Sequence, residues 1–441
     1  MEVHFNDEAF FVLGIQLNLN IMRIYLLLLA FLASVAFSVS ASTQKWGYVN
    51  VRENAHMFWW LYHVESNATD APLILWLQGG PGSSSTGFGN FQEIGPLDVN
   101  LKPRNHSFSG VGTGYSYVTD ESAYTTDVSM IAADLVTLFQ EFMHTLPSYQ
   151  KTPFYIFCES YGGKMTAAFA YALHQAIQQG EIKCNFQGVA LGDSWISPVD
   201  YVKTWGPYLY ATSLVGEKGL KSIALAADQC VNATLQGKFT EATELWSKLE
   251  SVVEEETNGV NFYNILSWDS QLAVSAADHS DPLRQLFMRH VAPTQNDALS
   301  DLMNGKVKQM LGIPKEVTWG GQAGQVFEKQ AGDFMKPVVD IVDKLLAQTD
   351  LQVIVYNGQL DLICDTMGTE EWVRSLDWSE MSAYYAAERH PFSTQGSYPS
   401  GYMKKHKQLS FYWILDAGHM VPADAGEAAL WMLKDILNML H

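Results

Sequence analysis

The stretch FYIFCESYGGKM, Phe154 to Met165, constrains this chain more than any other. An aromatic and β-branched run behind Pro153 stops at Glu159-Ser160, and the segment KMTAAFAYALHQAIQQG that follows is rich in alanine, apolar at helical spacing and closed by Gly180. A strand that turns so abruptly into a helix is the joint of a parallel sheet flanked by helices. A serine on such a corner has two readings. In the plainer one it caps the helix while Gly162 and Gly163 allow close packing. In the other it is a nucleophile on a strained turn, its oxygen exposed at the carboxyl end of the sheet where a helix N-terminus favours negative charge. The usual pattern has glycine two residues before that serine; here the place belongs to Cys158, still a small residue.

Other segments repeat the rhythm. APLILWLQ, FQGVALGDSW and LQVIVYNGQ are short apolar runs that close in Gly, Asn, Asp or Ser, with helical patterns between FYIFCES and FQGVALGDSW. That alternation predicts an α/β fold, a mostly parallel sheet flanked by helices. Ahead of it WGYVNV and HMFWWLYHV read as two antiparallel strands. From about 200 to 335 the rhythm breaks. TEATELWSKLESVVEEE and DALSDLMNGKVKQML read there as helices with no strong strand between them. The expected layout is a leader and signal peptide over 1–42, a first part of the α/β domain over 43–200, a helical cap insertion over 201–335 and a second part over 336–441.

Composition narrows the function. Of 441 residues 47% are hydrophobic and 17% charged, below the roughly 25% of average soluble proteins, so a folded body is expected and disorder is not. A formal charge of -20 argues against nucleic acid, whose phosphates would be repelled. Met22-Arg23 leads into IYLLLLAFLASVAFSVSAS, a secretory signal pattern with cleavage expected near Ala41 or Ser42, its apolar core too short for a stable membrane anchor. Glu2, Asp7 and Glu8 suit a positive leader badly, which makes Met22 a candidate start. Behind a signal peptide the sequons at Asn67, Asn105 and Asn232 become expected glycosylation sites. Four cysteines are too few for a disulfide scaffold and match no zinc spacing; Cys184 to Cys230 is the most plausible bridge.

Catalytic groups on such sheets collect at the carboxyl ends of the strands. Ser160 follows FYIFCE, Asp361 follows VIVYNGQL, and His419 sits in FYWILDAGHMVP. Taken singly, Asp361 reads as a helix cap and His419 as a loop histidine. Together they stand in the order Ser, Asp, His of the α/β-hydrolase arrangement. His419 would take the proton of Ser160, and Asp361 would fix the imidazole tautomer. The oxyanion needs two donors: the amide of Tyr161 and one from the glycine loop GGPG, placed at Gly80. A tight turn is the plainer reading of that loop, and no lysine follows at the spacing of a phosphate cradle.

WLQGGPGSSS, GTGYSY, FCESYGGKM, LGDSWISP, YNGQLDLIC and AGHMVP together resemble the serine carboxypeptidases, a likeness that covers nearly everything from Trp46 onward. The resemblance implies an α/β-hydrolase fold and removal of C-terminal residues from peptides or proteins at acidic pH, in a lysosomal or secreted setting, with no metal and no cofactor. Carried over by position, it makes Ser160, Asp361 and His419 catalytic, Gly80 and Tyr161 the oxyanion donors, and Gln78, Gly79 and Glu159 the substrate-binding set. Glu159 then holds the substrate's terminal carboxylate through a shared proton, and Gln78 replaces the usual asparagine with one more methylene. Cys364 matches a cysteine near the substrate pocket and is expected as a buried thiol.

The chain departs from that family in LKPRNHSFSGVGTGYSYV, where an apolar strand expected between the arginine-proline region and the glycine motif is missing near 105–111. The strand would lie inside the sheet, between the antiparallel hairpin and the strand before GGPG, so both neighbours are expected to lose a partner. Two rival functions follow: an acyltransferase of the same fold, and a non-catalytic binding or stabilising protein.

Overall fold

The computed structural model describes residues 44–63, 71–102, 113–267, 281–394, 396 and 398–440. The leader and the sequons at Asn67 and Asn105 lie outside the described residues. Residues 46–60 and 69–441 form one compact unit, which holds every element below apart from the ends of the first two strands.

The β-rich runs form strands where alternation and apolarity predict them. β1 (Gln44–Arg52) and β2 (Ala55–Tyr62) come first, followed by β3 (Leu73–Leu77), β4 (Tyr117–Val118), β5 (Pro153–Ser160), β6 (Asn185–Ser194) and β7 (Gln352–Gly358). β8 (His390–Phe392), β9 (Gly401–His406) and β10 (Leu409–Ile414) complete the set. The main sheet has the order β3-β5-β6-β7-β10-β9-β8. Its first five members are mutually parallel, and β9 and β8 add an antiparallel edge.

Alternation along β5 sorts its side chains between the two faces. Tyr155 and Phe157 join Trp76, Tyr356, Tyr412, Met432 and Ile436 in a buried cluster. Phe154, on the other face, stacks on Phe139 with ring centroids 4.5 Å apart. Phe139 belongs to α1 (Val128–Thr145), whose first amides at Ser129 and Met130 are capped by the Asp127 carboxylate. Each large side chain buried in this way contributes about 1.5–3 kcal/mol.

The stretch near 105–111 lies outside the described residues, and among the described ones the strands fall into two sheets. β1, β2 and β4 form a separate three-stranded sheet, so β2 and β3 are not neighbours. β4 covers only the start of β2, pairing Val118 with Ala55 and Tyr117 with His56. Side chains take over part of the ladder: Ser116 Oγ accepts from the Phe58 amide at 3.0 Å, and the Gln322 amide bonds both the N–H and the C=O of Val118. A cavity of about 160 Å³ remains between the sheets, lined by Ala55 and Met57 on one side and Leu77 and Gly79 on the other.

α2 (Gly162–Gln178) follows β5 directly. Between β6 and β7 the described residues hold helices and no strand, among them α3 (Pro198–Ala211), α4 (Glu217–Leu235), α5 (Phe239–Thr257) and α6 (Pro282–His290). The run 297–311, expected as one regular helix, carries a π-turn at Met303–Val307 where Gly305 weakens the ladder and Asn304 Oδ1 accepts the Trp319 amide instead. The Cys184–Cys230 bridge is not formed: all four cysteines are free thiols. The Cys230 thiol, buried between α4 and α5, donates to the Ala242 carbonyl at 3.4 Å and so serves helix packing. Among the described residues no helix is long and apolar enough to cross a membrane.

Candidate active site

The corner after β5 explains its own sequence. Ser160 has φ 61°, a left-handed backbone that costs a non-glycine residue energy and lifts its side chain off the strand. The next two glycines are steric necessities. A Cβ on Gly162 would lie 2.2 Å from the Leu77 carbonyl oxygen, and one on Gly163 would lie 2.3 Å from Ser194 Cβ. The helix thus enters between the ends of β3 and β6. Cys158, two residues before the serine, is buried, its thiol donating to the Ala190 carbonyl at 3.3 Å, and burial pushes its pKa up to about 11. It is a packing residue.

The glycine loop after β3 lies against the serine. A Cβ on Gly79 would sit 2.4 Å from Ser160 Cβ and 2.9 Å from the Tyr161 amide nitrogen, so the backbone of Gly79 passes beside both. Gly80 follows with φ +109°, which turns the chain away. Tyr161 is anchored from behind. Its hydroxyl donates to Asp333 Oδ2 at 2.9 Å, and the fully buried Lys164 reaches the same oxygen at 2.8 Å. Burial lowers the Lys164 pKa to about 8 although Asp333 opposes the shift.

Asp361 and His419 meet beyond the ends of β7 and β10. His419 Nδ1–H donates to Asp361 Oδ2 at 2.8 Å, and both side chains are buried. Asp361 Oδ1 also accepts the Cys364 amide at 3.3 Å. The His419 amide donates to the Tyr263 carbonyl at 2.7 Å, and the Tyr263 ring stands 5.2 Å from the imidazole. With Nδ1 committed to the carboxylate, the lone pair of a neutral ring lies on Nε2, which has no hydrogen-bond partner. The Asp361–His419 contact is therefore made, whereas a hydrogen bond from Ser160 to Nε2 is not. All three groups stand at the carboxyl edge of the main sheet.

Next to Ser160 lies a cluster of acids joined by one amide. Gln78 Nε2 donates to Glu159 Oε1 at 2.7 Å and to Glu93 Oε1 at 3.2 Å, while Gln78 Oε1 accepts the Trp76 indole N–H at 2.7 Å. One amide thus bridges two carboxyls. Burial first, then the charge of Glu93, push the Glu159 pKa well above the usual carboxylate range, and the Gln78 hydrogen bond offsets only part of this. Glu159 Oε2 is buried and unpartnered. Glu93 was not singled out from the sequence. It sits on the π-turn Ser85–Ile94, a conformation whose periodicity carries no sequence signal, and only an acid inside a glycine-rich stretch marked it.

Asp361, Cys364 and His419 are the one set among the described residues whose candidate ligand atoms come within 4.8 Å of each other. Burial holds the Cys364 thiol far above its ordinary range, so it is a thiol and not a thiolate, and Asp361 is engaged by the imidazole. These residues fit a proton-transfer site better than a metal site. Cys364 is the buried thiol expected of it. Asn232 lies exposed on α4.

Residues 35–439 match the serine carboxypeptidase family. Retinoid-inducible serine carboxypeptidase of Rattus norvegicus is 49% identical over 94% of this chain and 97% of its own length, and the Homo sapiens protein of the same name is 49% identical over 91% and 93%. Serine carboxypeptidase-like 51 of Arabidopsis thaliana is 40% identical over 90% and 92%. Among solved structures, the prohormone-processing carboxypeptidase KEX1(delta)P of Saccharomyces cerevisiae superposes with a TM-score of 0.75 over 90% of this chain and 91% of that one, at 21% identity. That likeness bears on the fold, which is of the α/β-hydrolase type.

Proposed function

The chain belongs to the serine carboxypeptidase family and is a serine-type carboxypeptidase, and from that premise we propose how its residues divide the work. Ser160 Oγ attacks the carbonyl of the last peptide bond, His419 Nε2 takes the serine proton, and Asp361 holds the imidazole and stabilises its cation. The amides of Gly80 and Tyr161 receive the oxyanion. His419 then returns the proton to the departing amine, a free amino acid leaves, and water releases the acyl group from Ser160 by the same route in reverse. The hydrogen bond from Ser160 to Nε2 tightens when substrate closes the site, as is common in unliganded enzymes.

The observation that carries this reading is the Asp361–His419 pair with its free Nε2, on the same sheet edge as a serine in left-handed backbone. The acid cluster supports exopeptidase action. A carboxyl that keeps its proton donates to the terminal carboxylate of a peptide where an ionised one would repel it, so Glu159, steered by Gln78 and Glu93 and backed by Gly79, selects chain ends. Its raised pKa agrees with use at acidic pH. The stretch 201–335 is read as the cap; in support, the Tyr263 and Phe262 carbonyls accept the amides of His419, Leu362 and Ile363. The apolar leader of 1–42 and the exposed sequon at Asn232 support a secreted or lysosomal, glycosylated protein.

The named relatives favour neither the acyltransferase nor the non-catalytic reading. Mass analysis of the products of an N-blocked dipeptide, with and without an added alcohol, tests the proposal. Release of the free C-terminal amino acid from wild type and none from Ser160→Ala is expected. Ester formation in preference to hydrolysis would point to acyl transfer, and no release by folded protein to the non-catalytic reading.

A further inference from the structure

A second buried acid stands behind Asp361 and has no task in the steps above. Asp193 closes β6 with φ 41° and is fully buried. Its backbone turns left-handed just where the strand would otherwise run on past β7. That aims the carboxyl at the neighbouring strand end: Oδ1 accepts the amide of Gly358, the last residue of β7, at 2.8 Å. Oδ2 has no donor at all. The same Gly358 accepts the Asp361 amide through its carbonyl at 3.3 Å, so the two acids share one turn, and the Asp361 carboxyl is near enough to act on Asp193 directly.

Two carboxyls that face each other without solvent share a proton, because two bare charges there repel strongly. The neighbours decide who holds it. Asp361 already accepts two donors, the His419 imidazole N–H and the Cys364 amide, and both stabilise its anion. Asp193 accepts a single backbone amide through Oδ1, which leaves Oδ2 as the proton's seat. We propose that Asp193 is a positioning residue for the reaction: as a neutral acid it donates from Oδ2 to Asp361 and holds that carboxylate in line with His419. The proposal rests on the assignment of Ser160, Asp361 and His419 made above.

A donor of this kind differs from an amide in that titration removes it. The groups whose charge reaches Asp193 are Asp361, Asp424, Glu159, Cys158, Cys364 and Tyr356, each neutral or negative, and His419 is bonded to the first of them. Burial and these like charges both favour the protonated acid. At alkaline pH its loss sets a second anion beside Asp361. The hydrogen bond is then gone and the two anions repel, so Asp361 moves out of line with His419 and the imidazole is no longer held to accept the proton of Ser160.

The test is the rate at which a fluorophosphonate probe labels Ser160 from acidic to alkaline pH. The probe lacks a terminal carboxylate, so titration at Glu159 does not enter through substrate binding. Asp193→Ala removes the donor and is expected to slow labelling by about ten- to a hundredfold at acidic pH, where wild type keeps the proton, the worth of a hydrogen bond to a charged group. Asp193→Asn keeps an acceptor for Gly358 and a donor for Asp361. It is expected to restore labelling to within a few fold of wild type at acidic pH, and to go on labelling at alkaline pH where wild type falls away. An alkaline fall in Asp193→Asn that matches wild type overturns the proposal, as does a folded Asp193→Asn as slow as Asp193→Ala. Should Asp193→Ala fail to fold, the pH profiles of wild type and Asp193→Asn decide by themselves. Wild-type protein that takes no label removes the catalytic assignment and this role with it, a failure distinct from one confined to the Asp193 variants.

Discussion

His419 and Asp361 are joined by a 2.8 Å hydrogen bond between two side chains withdrawn from solvent. In that setting the carboxylate determines which ring nitrogen carries the proton, and hence, in the proposed mechanism, which one accepts from Ser160. Asp361→Asn keeps the shape but lets the amide donate, which favours the wrong tautomer. We expect kcat to fall roughly 10⁴-fold with little change in KM and an unchanged circular dichroism spectrum. Steady-state kinetics on a blocked dipeptide measures it, and a loss confined to KM would contradict the assignment.

Glu159 shares its burial with Glu93 and is held protonated by both effects. As pH rises through that raised pKa the acid loses the proton that its proposed role requires for binding a terminal carboxylate, so KM is expected to rise with pH. Two like charges about 4 Å apart cost roughly 1–4 kcal/mol, a loss of about tenfold to a thousandfold in affinity. Glu159→Gln, which cannot ionise, should flatten the rise. A KM that stays constant from acidic to alkaline pH in wild type argues against the shared-proton clamp.

Asp365 is buried after β7, accepts the Gly368 amide and contacts Thr204 Oγ1 at 2.6 Å, and burial raises its pKa from 3.8 to about 7. A carboxyl with a raised folded pKa binds more protons folded than unfolded. Its contribution to stability is therefore complete below the unfolded pKa and is lost as pH climbs to about 7. Asp365→Asn should lessen the decline in Tm across that window by several degrees. Thermal melts of both proteins at pH values through it decide the matter, and parallel Tm curves would refute it.

Lys164 and Asp333 form an ion pair with no solvent around the lysine, directly behind Tyr161. Removing only the cation leaves a buried charge, so Lys164→Met should destabilise by roughly 3–5 kcal/mol in urea titrations. Replacing both, as Lys164→Met with Asp333→Asn, should recover part of that loss. A double variant as unstable as the sum of the single ones would show that the pair is not coupled.

Much of this enzyme was legible before any coordinates. The strands β5, β6 and β7 were marked by apolar runs closed with turn residues, and the corner at Ser160 by two glycines that the close approach of Leu77 and Ser194 makes unavoidable. β2 and β3 are not paired with each other among the described residues, and the stretch near 105–111 read as lacking a strand lies outside them. The strand runs and the corner are local features: periodicity of two or of 3.6, turn chemistry and the order of segments are properties of consecutive residues.

Contacts between residues remote in sequence were decided only by tertiary structure. Glu93 reaches Glu159 through Gln78, Asp193 accepts the Gly358 amide across two strand ends, and Tyr263 holds the backbone of His419 from a region far upstream. Cys230 packs against Ala242 and forms no bridge to Cys184. Chemistry of this kind depends on distances of a few ångströms and on the exclusion of water, and both are set by how the elements pack. The one-dimensional pattern determined which side chains arrive at the edge of the sheet; packing decided which of them touch.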